Sequence, residues 1–209
     1  MPHAAGLAYA QKYKKVDSAV ITYVGDGGTS EGDFYETLNF AGIMKVPLIS
    51  IVENNQWAIS VPRARQTAAQ TLAQKGIAAG IESVQVDGND VIAVYKAVKD
   101  AINLAKDGPT LIECITYRMS MHTTADDPTK YRSEDEVAEW KDKDPISRVS
   151  IYLKKKGLWN SDLDAKMQEE HKKNNRRSSR KGRGVQTRSE KHVRACLQLY
   201  TRHAKGGVR

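Results

Sequence analysis

One acidic side chain stands in the glycine run Gly25-Asp26-Gly27-Gly28, where an apolar stretch gives way to a helical pattern. Glycines let a ligand approach the main chain closely and can take a positive φ. A helix beginning near Ser30 would present unpaired N–H groups and a partial positive charge, which suit a phosphate. Asp26 would repel that phosphate unless a cation lies between them. A hard divalent ion resolves the conflict, and Mg2+ held by one carboxylate plus ligand phosphates is a common arrangement. A second, neutral oxygen donor is then wanted from the end of the next strand. There, after 26 intervening residues, stands the pair Asn54-Asn55. Taken singly, a glycine turn or an asparagine pair is more often a plain turn. Together, each closing an apolar strand, they point to a ligand at the carboxyl edge of a parallel sheet.

The elements that would hold these turns follow from hydrophobic period. Residues 3–15 read as a helix closed by lysines, 18–24 as a β-branched strand, and 30–43 as a helix through Phe34, Leu38 and Ala41. Ser30 and Asp33 resemble a capping box, and Gly42 falls near the helix end. The run 46–53 is apolar almost throughout, as in a parallel sheet covered on both faces. Helix over 66–79, strand over 83–88, helix over 90–106 and strand over 109–117 continue the alternation. That order predicts an α/β fold with a parallel sheet flanked by helices and right-handed crossovers. The segment 118–132 is too long and polar for a mere connector. Helices are expected over 133–141, 145–156 and 161–171. Trp140 and Trp159 fall in helical patterns as core or interface anchors.

Charge divides the chain. The total is +8, yet residues 172–209 hold 13 Lys/Arg against the single acid Glu190, leaving the first 171 residues mildly acidic. A nucleic-acid reading therefore does not extend to the body. Residues 1–171 are expected to form one domain, and 172–209 a basic, disordered tail. No stretch approaches the roughly 20 apolar residues of a membrane span, and the first residues lack the order of a secretory signal. Cys114 and Cys196 show no metal or disulfide spacing. A cytoplasmic protein is the expectation.

The glycine and asparagine turns at this spacing resemble the signature of thiamine diphosphate enzymes. The blocks PHAAGLAYA, GDGGTSEGDFYETLNFAG, NNQWAIS, VDGNDVIAVY, TYRMSMHTTADDPTKYR and DPISR resemble the α chain of the 2-oxoacid dehydrogenase E1 component, over about residues 2–171. The resemblance implies a thiamine diphosphate-binding fold and an α2β2 assembly with a β chain. It implies oxidative decarboxylation of a 2-oxoacid, with acyl transfer to the lipoyl domain of an acyltransferase. It makes Asp26 and Asn55 Mg2+ ligands together with the Trp57 carbonyl. It makes Gly25, Asp26, Gly27, Gly28, Asn55, Arg118 and His122 the cofactor-binding set. His122 takes a catalytic role, since imidazoles exchange protons near neutral pH. The resemblance also makes Tyr131 and Arg132 the anchor at the far end of the loop.

The substrate is expected to be pyruvate or a branched-chain 2-oxoacid, with HTTADD (122–127) leaning to the latter. An acetoin dehydrogenase, or a non-catalytic chain binding polyanions through its tail, are the competing readings. Family members carry further residues before the PHAAG segment, so an incomplete N-terminus and an inactive isolated chain are expected. The resemblance stops near Lys173, where a shift of reading frame is the expected cause.

Overall fold

The computed structural model describes residues 1–182. From its start the chain forms α1 (Pro2–Tyr13), β1 (Val20–Gly25), α2 (Gly32–Met44), β2 (Leu48–Asn54), and the short strands β3 (Trp57–Ala58) and β4 (Val61–Pro62). There follow α3 (Gln74–Ala78), β5 (Glu82–Asp87), α4 (Val91–Leu104), β6 (Thr110–Ile115), α5 (Glu134–Lys141), α6 (Pro145–Lys155) and α7 (Ser161–Gly182). Four strands make one sheet in the order β1-β2-β6-β5, every pair parallel. The expected α/β class is the observed one. β3 and β4 form a separate antiparallel pair.

Strand alternation sorts the core onto two faces. Leu48, Val52 and Leu111 pack with Ala5, Ala8, Phe34, Leu38 and Ala41, which come from α1 and α2. Ile49, Ile51, Ile112 and Cys114 pack with Ala97, Val98, Ala101 and Ile102 of α4. Because β2 and β6 lie between other strands and under helices on both sides, their apolar runs have no polar face. β1 is an edge strand and reads differently. Tyr23 on it remains 62% exposed.

Three expectations change. The capping box at Ser30 is not formed: a 3-10 turn covers Gly27–Ser30, and α2 starts at Gly32 with Glu31 as an N-cap whose side chain accepts no bond. The helix expected over 66–79 shrinks to Gln74–Ala78. Polar side chains take the backbone groups a helix would need there. Arg63 Nη2 donates to the Ala69 and Gln70 carbonyls at 2.6 and 2.7 Å, and the Ala69 N–H goes to Thr67 Oγ1. Finally, α7 continues through Lys172–Gly182, where the charge pattern predicts no structure. An i,i+4 pair, Lys173 to Glu169 at 2.7 Å, lies across the expected boundary and supports the helix. The rest of the expected tail, 183–209, lies outside the described residues.

The chain divides into two units, Met1–Tyr152 and Leu153–Arg209. Sheet and candidate site belong to the first. The second contains α7, whose Leu163 and Met167 are exposed. Among the described residues no helix is long and apolar enough to cross a membrane.

Candidate functional site

Parallel strands end their carboxyl termini along one edge, and the β1–α2 and β2–β3 turns meet there. Gly27 shows how closely. A Cβ on it would lie 2.7 Å from the Ala58 Cβ, and one on Gly28 would lie 2.6 Å from Val24 Cγ2. Neither Gly25, Gly27 nor Gly28 has a positive φ. The glycines are needed for close approach rather than for a left-handed backbone, which corrects half of the expectation. Gly25 faces open space, with nothing within 4 Å of where its Cβ would be.

Asp26 is buried at 2% exposure. Gln66 Nε2 donates to its carboxylate at 2.8 Å. Burial pushes its carboxyl above the ordinary carboxylate value; bonds from Gln66 and from the N–H groups of Asp26 and Gly27, and the charge of Arg118, pull it back only partly. A buried acid is met chiefly by neutral donors. Beside it, Gln66 Oε1 is buried without a hydrogen-bond partner.

The second turn carries the strain. Gln56 has φ +72° and Ile59 φ +56°, a conformation costly for a β-branched residue. Asn54 is buried, and its Oδ1 accepts from Gln56 N–H and Nε2 at 3.3 and 3.1 Å. Asn55 Oδ1 accepts the Trp57 N–H at 3.1 Å, which turns this amide oxygen and the Trp57 carbonyl into fixed acceptors. Arg118 reaches the Trp57 carbonyl from Nη1 at 3.3 Å and the Ile59 carbonyl from Nη2 at 2.6 Å.

The loop 118–132 closes over the same side. Arg118 Nη2 donates to Tyr131 Oη at 3.0 Å, and Tyr131 in turn to Asp126 Oδ2 at 2.6 Å. Asp126 Oδ2 also accepts the His122 backbone N–H at 2.8 Å. His122 Nδ1 lies 3.5 Å from Arg118 Nη1. Arg132 bonds the carbonyls of Arg118, Met119 and Ser120. Thus Tyr131 and Arg132 do hold the loop's two ends together. Asp127 accepts from Thr129 N–H and Oγ1, so the acidic pair before Pro128 is a turn. From α5, Glu136 Oε1 accepts both Trp57 Nε1 and Tyr117 Oη at 3.0 and 2.9 Å. Trp140 stacks on Tyr117 with centroids 5.2 Å apart, as an anchor should.

The structure therefore gathers Asp26, Gly27, the Asn55–Trp57 turn, Arg118 and His122 at one edge. Sequence reasoning missed Gln66, Glu113, Lys75 and Glu136. A glutamate inside the apolar strand TLIECI was the signal for Glu113; nothing in the sequence singles out Gln66.

The donors Asp26, Gln66 Oε1, Asn55 Oδ1 and the Trp57 carbonyl are all hard oxygens. Among the described residues no three His, Cys, Asp or Glu side chains gather, so Asp26 is the one charged donor of the set. Such a set suits a hard divalent cation and not a thiolate- or imidazole-seeking metal. The buried, neutrally partnered Asp26 carboxylate and the unsatisfied Gln66 oxygen are what a cation there would satisfy. An apolar groove of about 430 Å3 between β5 and α4, lined by Val84, Val86, Ala97 and Leu104, shares no residue with this set.

A parallel α/β sheet with an oxygen-lined site at its carboxyl edge defines the class. Residues 1–181 match the family described as dehydrogenase E1 component, and the chain belongs to that family. It is similar to the pyruvate dehydrogenase E1 component subunit alpha of Staphylococcus aureus, with 56% identity over 164 residues, 77% of this chain and 44% of that protein. The protein of the same name from Acholeplasma laidlawii is 51% identical over 170 residues, 80% of this chain and 49% of its own length. That from Staphylococcus epidermidis is 52% identical over 171 residues. The chain spans about half the length of these relatives.

Proposed function

We propose that this chain holds the diphosphate end of thiamine diphosphate, with Mg2+, in a 2-oxoacid dehydrogenase of the pyruvate type. One observation carries the reading. Asp26 is buried at the carboxyl edge against neutral amides, in contact through Gly27 with the turn that presents Asn55 and Trp57. Pyruvate is preferred over a branched-chain 2-oxoacid because relatives at 51–56% identity carry the pyruvate dehydrogenase name.

Asp26, Asn55 and the Trp57 carbonyl would hold Mg2+, and Gln66 would release Asp26 to it. Gly25 leaves open space beside the turn for the diphosphate, and Gly27 and Gly28 let the turn that would carry it pack closely on Ala58 and Val24. The bound cofactor supplies the carbanion chemistry of decarboxylation. Arg118 brings positive charge near the diphosphate. His122, exposed on the loop next to Arg118, would donate a hydrogen bond or carry a proton at the mouth of the site. The other end of the cofactor would be completed by a β chain in an α2β2 assembly, and the acyl group would pass to the lipoyl domain of an acyltransferase. Isolated, the chain should bind weakly and turn over nothing, because half a pocket lacks the apolar burial and half the hydrogen bonds.

Calorimetric titration of thiamine diphosphate, with and without Mg2+ and with and without a β chain, tests this. Binding should require Mg2+ and strengthen with the β chain. Mg2+-independent binding, or turnover by the isolated chain, would overturn the assignment.

A further inference from the structure

Two charged side chains are buried under the candidate site and take no part in it directly. Glu113, in the middle of β6, is 0% exposed, and Lys75, in α3, is 6% exposed. No ion pair joins them. Each instead faces a different turn of the site.

Glu113 Oε1 accepts Asn54 Nδ2 at 2.7 Å, and its Oε2 accepts the Ala73 N–H and Gln85 Nε2, each at 2.9 Å. Because Glu113 takes the amide nitrogen, Asn54 must offer its oxygen to Gln56, the left-handed residue that shapes the Asn55–Trp57 turn. Lys75 Nζ donates to the Thr29 carbonyl at 2.7 Å and to Thr29 Oγ1 at 3.0 Å, and lies over the Phe34 and Tyr35 rings. Thr29 is fully buried, and its Oγ1 and N–H both reach the Asp26 carbonyl, at 2.7 and 3.1 Å. The two chains of bonds start from neighbouring residues, Ala73 and Lys75, on one short segment. That segment is pressed on the sheet: a Cβ on Gly76 would come within 2.3 Å of Ser83 Oγ and 2.9 Å of Leu111.

We infer that Glu113 and Lys75 are positioning residues, and that the start of α3 is a common brace fixing the asparagine turn through one and the glycine turn through the other. Asp26 and Asn55 can serve one ion only if their turns keep a constant separation, and a shared support provides it. Each arm is a buried bond to a charged group, and losing one is worth about ten-fold or more. The ligand part of this inference rests on the proposed function; the bracing itself does not.

Donor parity makes it testable. In Glu113→Gln the new amide nitrogen must face either Asn54 Nδ2 or the fixed Ala73 N–H, so one arm fails. Amide hydrogen exchange on the full chain without ligand should then rise about ten-fold or more at 54–57 while 26–30 is little changed. Lys75→Met should show the reverse, and Lys75→Arg should restore protection. Asn54→Ser tests the first arm again if Glu113→Gln does not fold. A uniform rise over the whole sheet, or no rise at either turn, overturns the brace. Calorimetry with Mg2+ and inorganic diphosphate then separates the two readings. Wild-type binding that falls in both variants supports both. Variants that bind like wild type overturn the positioning role alone. A wild-type chain that binds nothing, yet shows the arm-specific exchange, overturns the proposed function and leaves the brace standing.

Discussion

The two turns and the loop that faces them are held by different kinds of bond. Under the turns, Asp26, Thr29, Asn54, Lys75 and Glu113 are all 6% exposed or less, and their bonds are shielded from water. In the loop, Met121, His122, Thr123 and Thr124 are exposed, and Tyr131 and Asp126 are half-buried at best. Both regions are equally rich in polar contacts, so a count of hydrogen bonds would call them alike. Burial decides otherwise. A buried polar group left without its partner costs far more than an exposed one, which water can satisfy. The turns form a rigid floor, and the loop is a cover whose fastening can be loosened without unfolding what lies beneath.

The largest effect expected from this contrast comes at Asp26. Asp26→Ala should reduce Mg2+-dependent thiamine diphosphate binding by at least about 100-fold, above the range of a supporting residue. Asp26→Asn should abolish binding comparably but stabilise the ligand-free chain. The sign follows from the raised pKa of Asp26. Protonated Asp26 favours the fold; that contribution is full below the ordinary carboxylate value and is lost as pH rises through the raised one. Thermal melts of the two proteins at neutral pH check it, and a less stable Asp26→Asn chain would break the reading of the floor as strained for function.

The same shift predicts a pH dependence of metal binding. A cation needs the carboxylate, so Mg2+ affinity should climb as Asp26 ionises and flatten above its raised pKa. Titrations from acid to neutral pH read this directly. An affinity independent of pH over that window would mean that Asp26 is not the ligand.

How much of this could be read in the chain depends on range. The glycine turn, the asparagine pair and the apolar strands are local patterns, and the parallel sheet follows from their alternation. Arg118, His122 and Tyr131 were legible through family resemblance, not through spacing. What escaped is non-local. Gln66 meets Asp26 from 40 residues away, and Lys75 meets Thr29 across 46. Residues 66–73 looked helical by pattern because no period can show that Arg63 will take the backbone carbonyls at Ala69 and Gln70. The positive φ at Ile59 is likewise invisible locally, since isoleucine disfavours it and only the Arg118 bond to its carbonyl rationalises it.

A smaller effect is expected in the cover. Tyr131→Phe removes the hydroxyl that joins Arg118 to Asp126. Limited proteolysis within 118–132 should quicken by a few-fold, with the melting temperature nearly unchanged. Lowering the pH should mimic it. The Tyr131 hydroxyl first, then the His122 N–H, holds the Asp126 carboxyl below its ordinary value. Its contribution to loop order is present above that ordinary value and is lost as pH falls through the lowered one. Loop cleavage that tracks global unfolding at every pH would erase the distinction between floor and cover.

The smallest structural effect, and the sharpest functional one, should come from His122→Ala. The loop is fastened by the His122 backbone N–H, which the substitution keeps, while the imidazole itself meets Arg118 at the outer limit of a hydrogen bond, 3.5 Å. Its melting temperature should stay within about 2 °C of wild type, as for other exposed substitutions. Mg2+-dependent cofactor binding should change little, because the floor is untouched. If His122 donates or carries a proton at the mouth of the site, turnover of the assembly with a β chain should nevertheless fall by about 100-fold, within the range for a general acid or base. His122→Gln should recover part of the loss if the role is hydrogen bonding, and none if it is proton transfer. Full activity in His122→Ala would leave the residue as loop surface and remove it from the catalytic set.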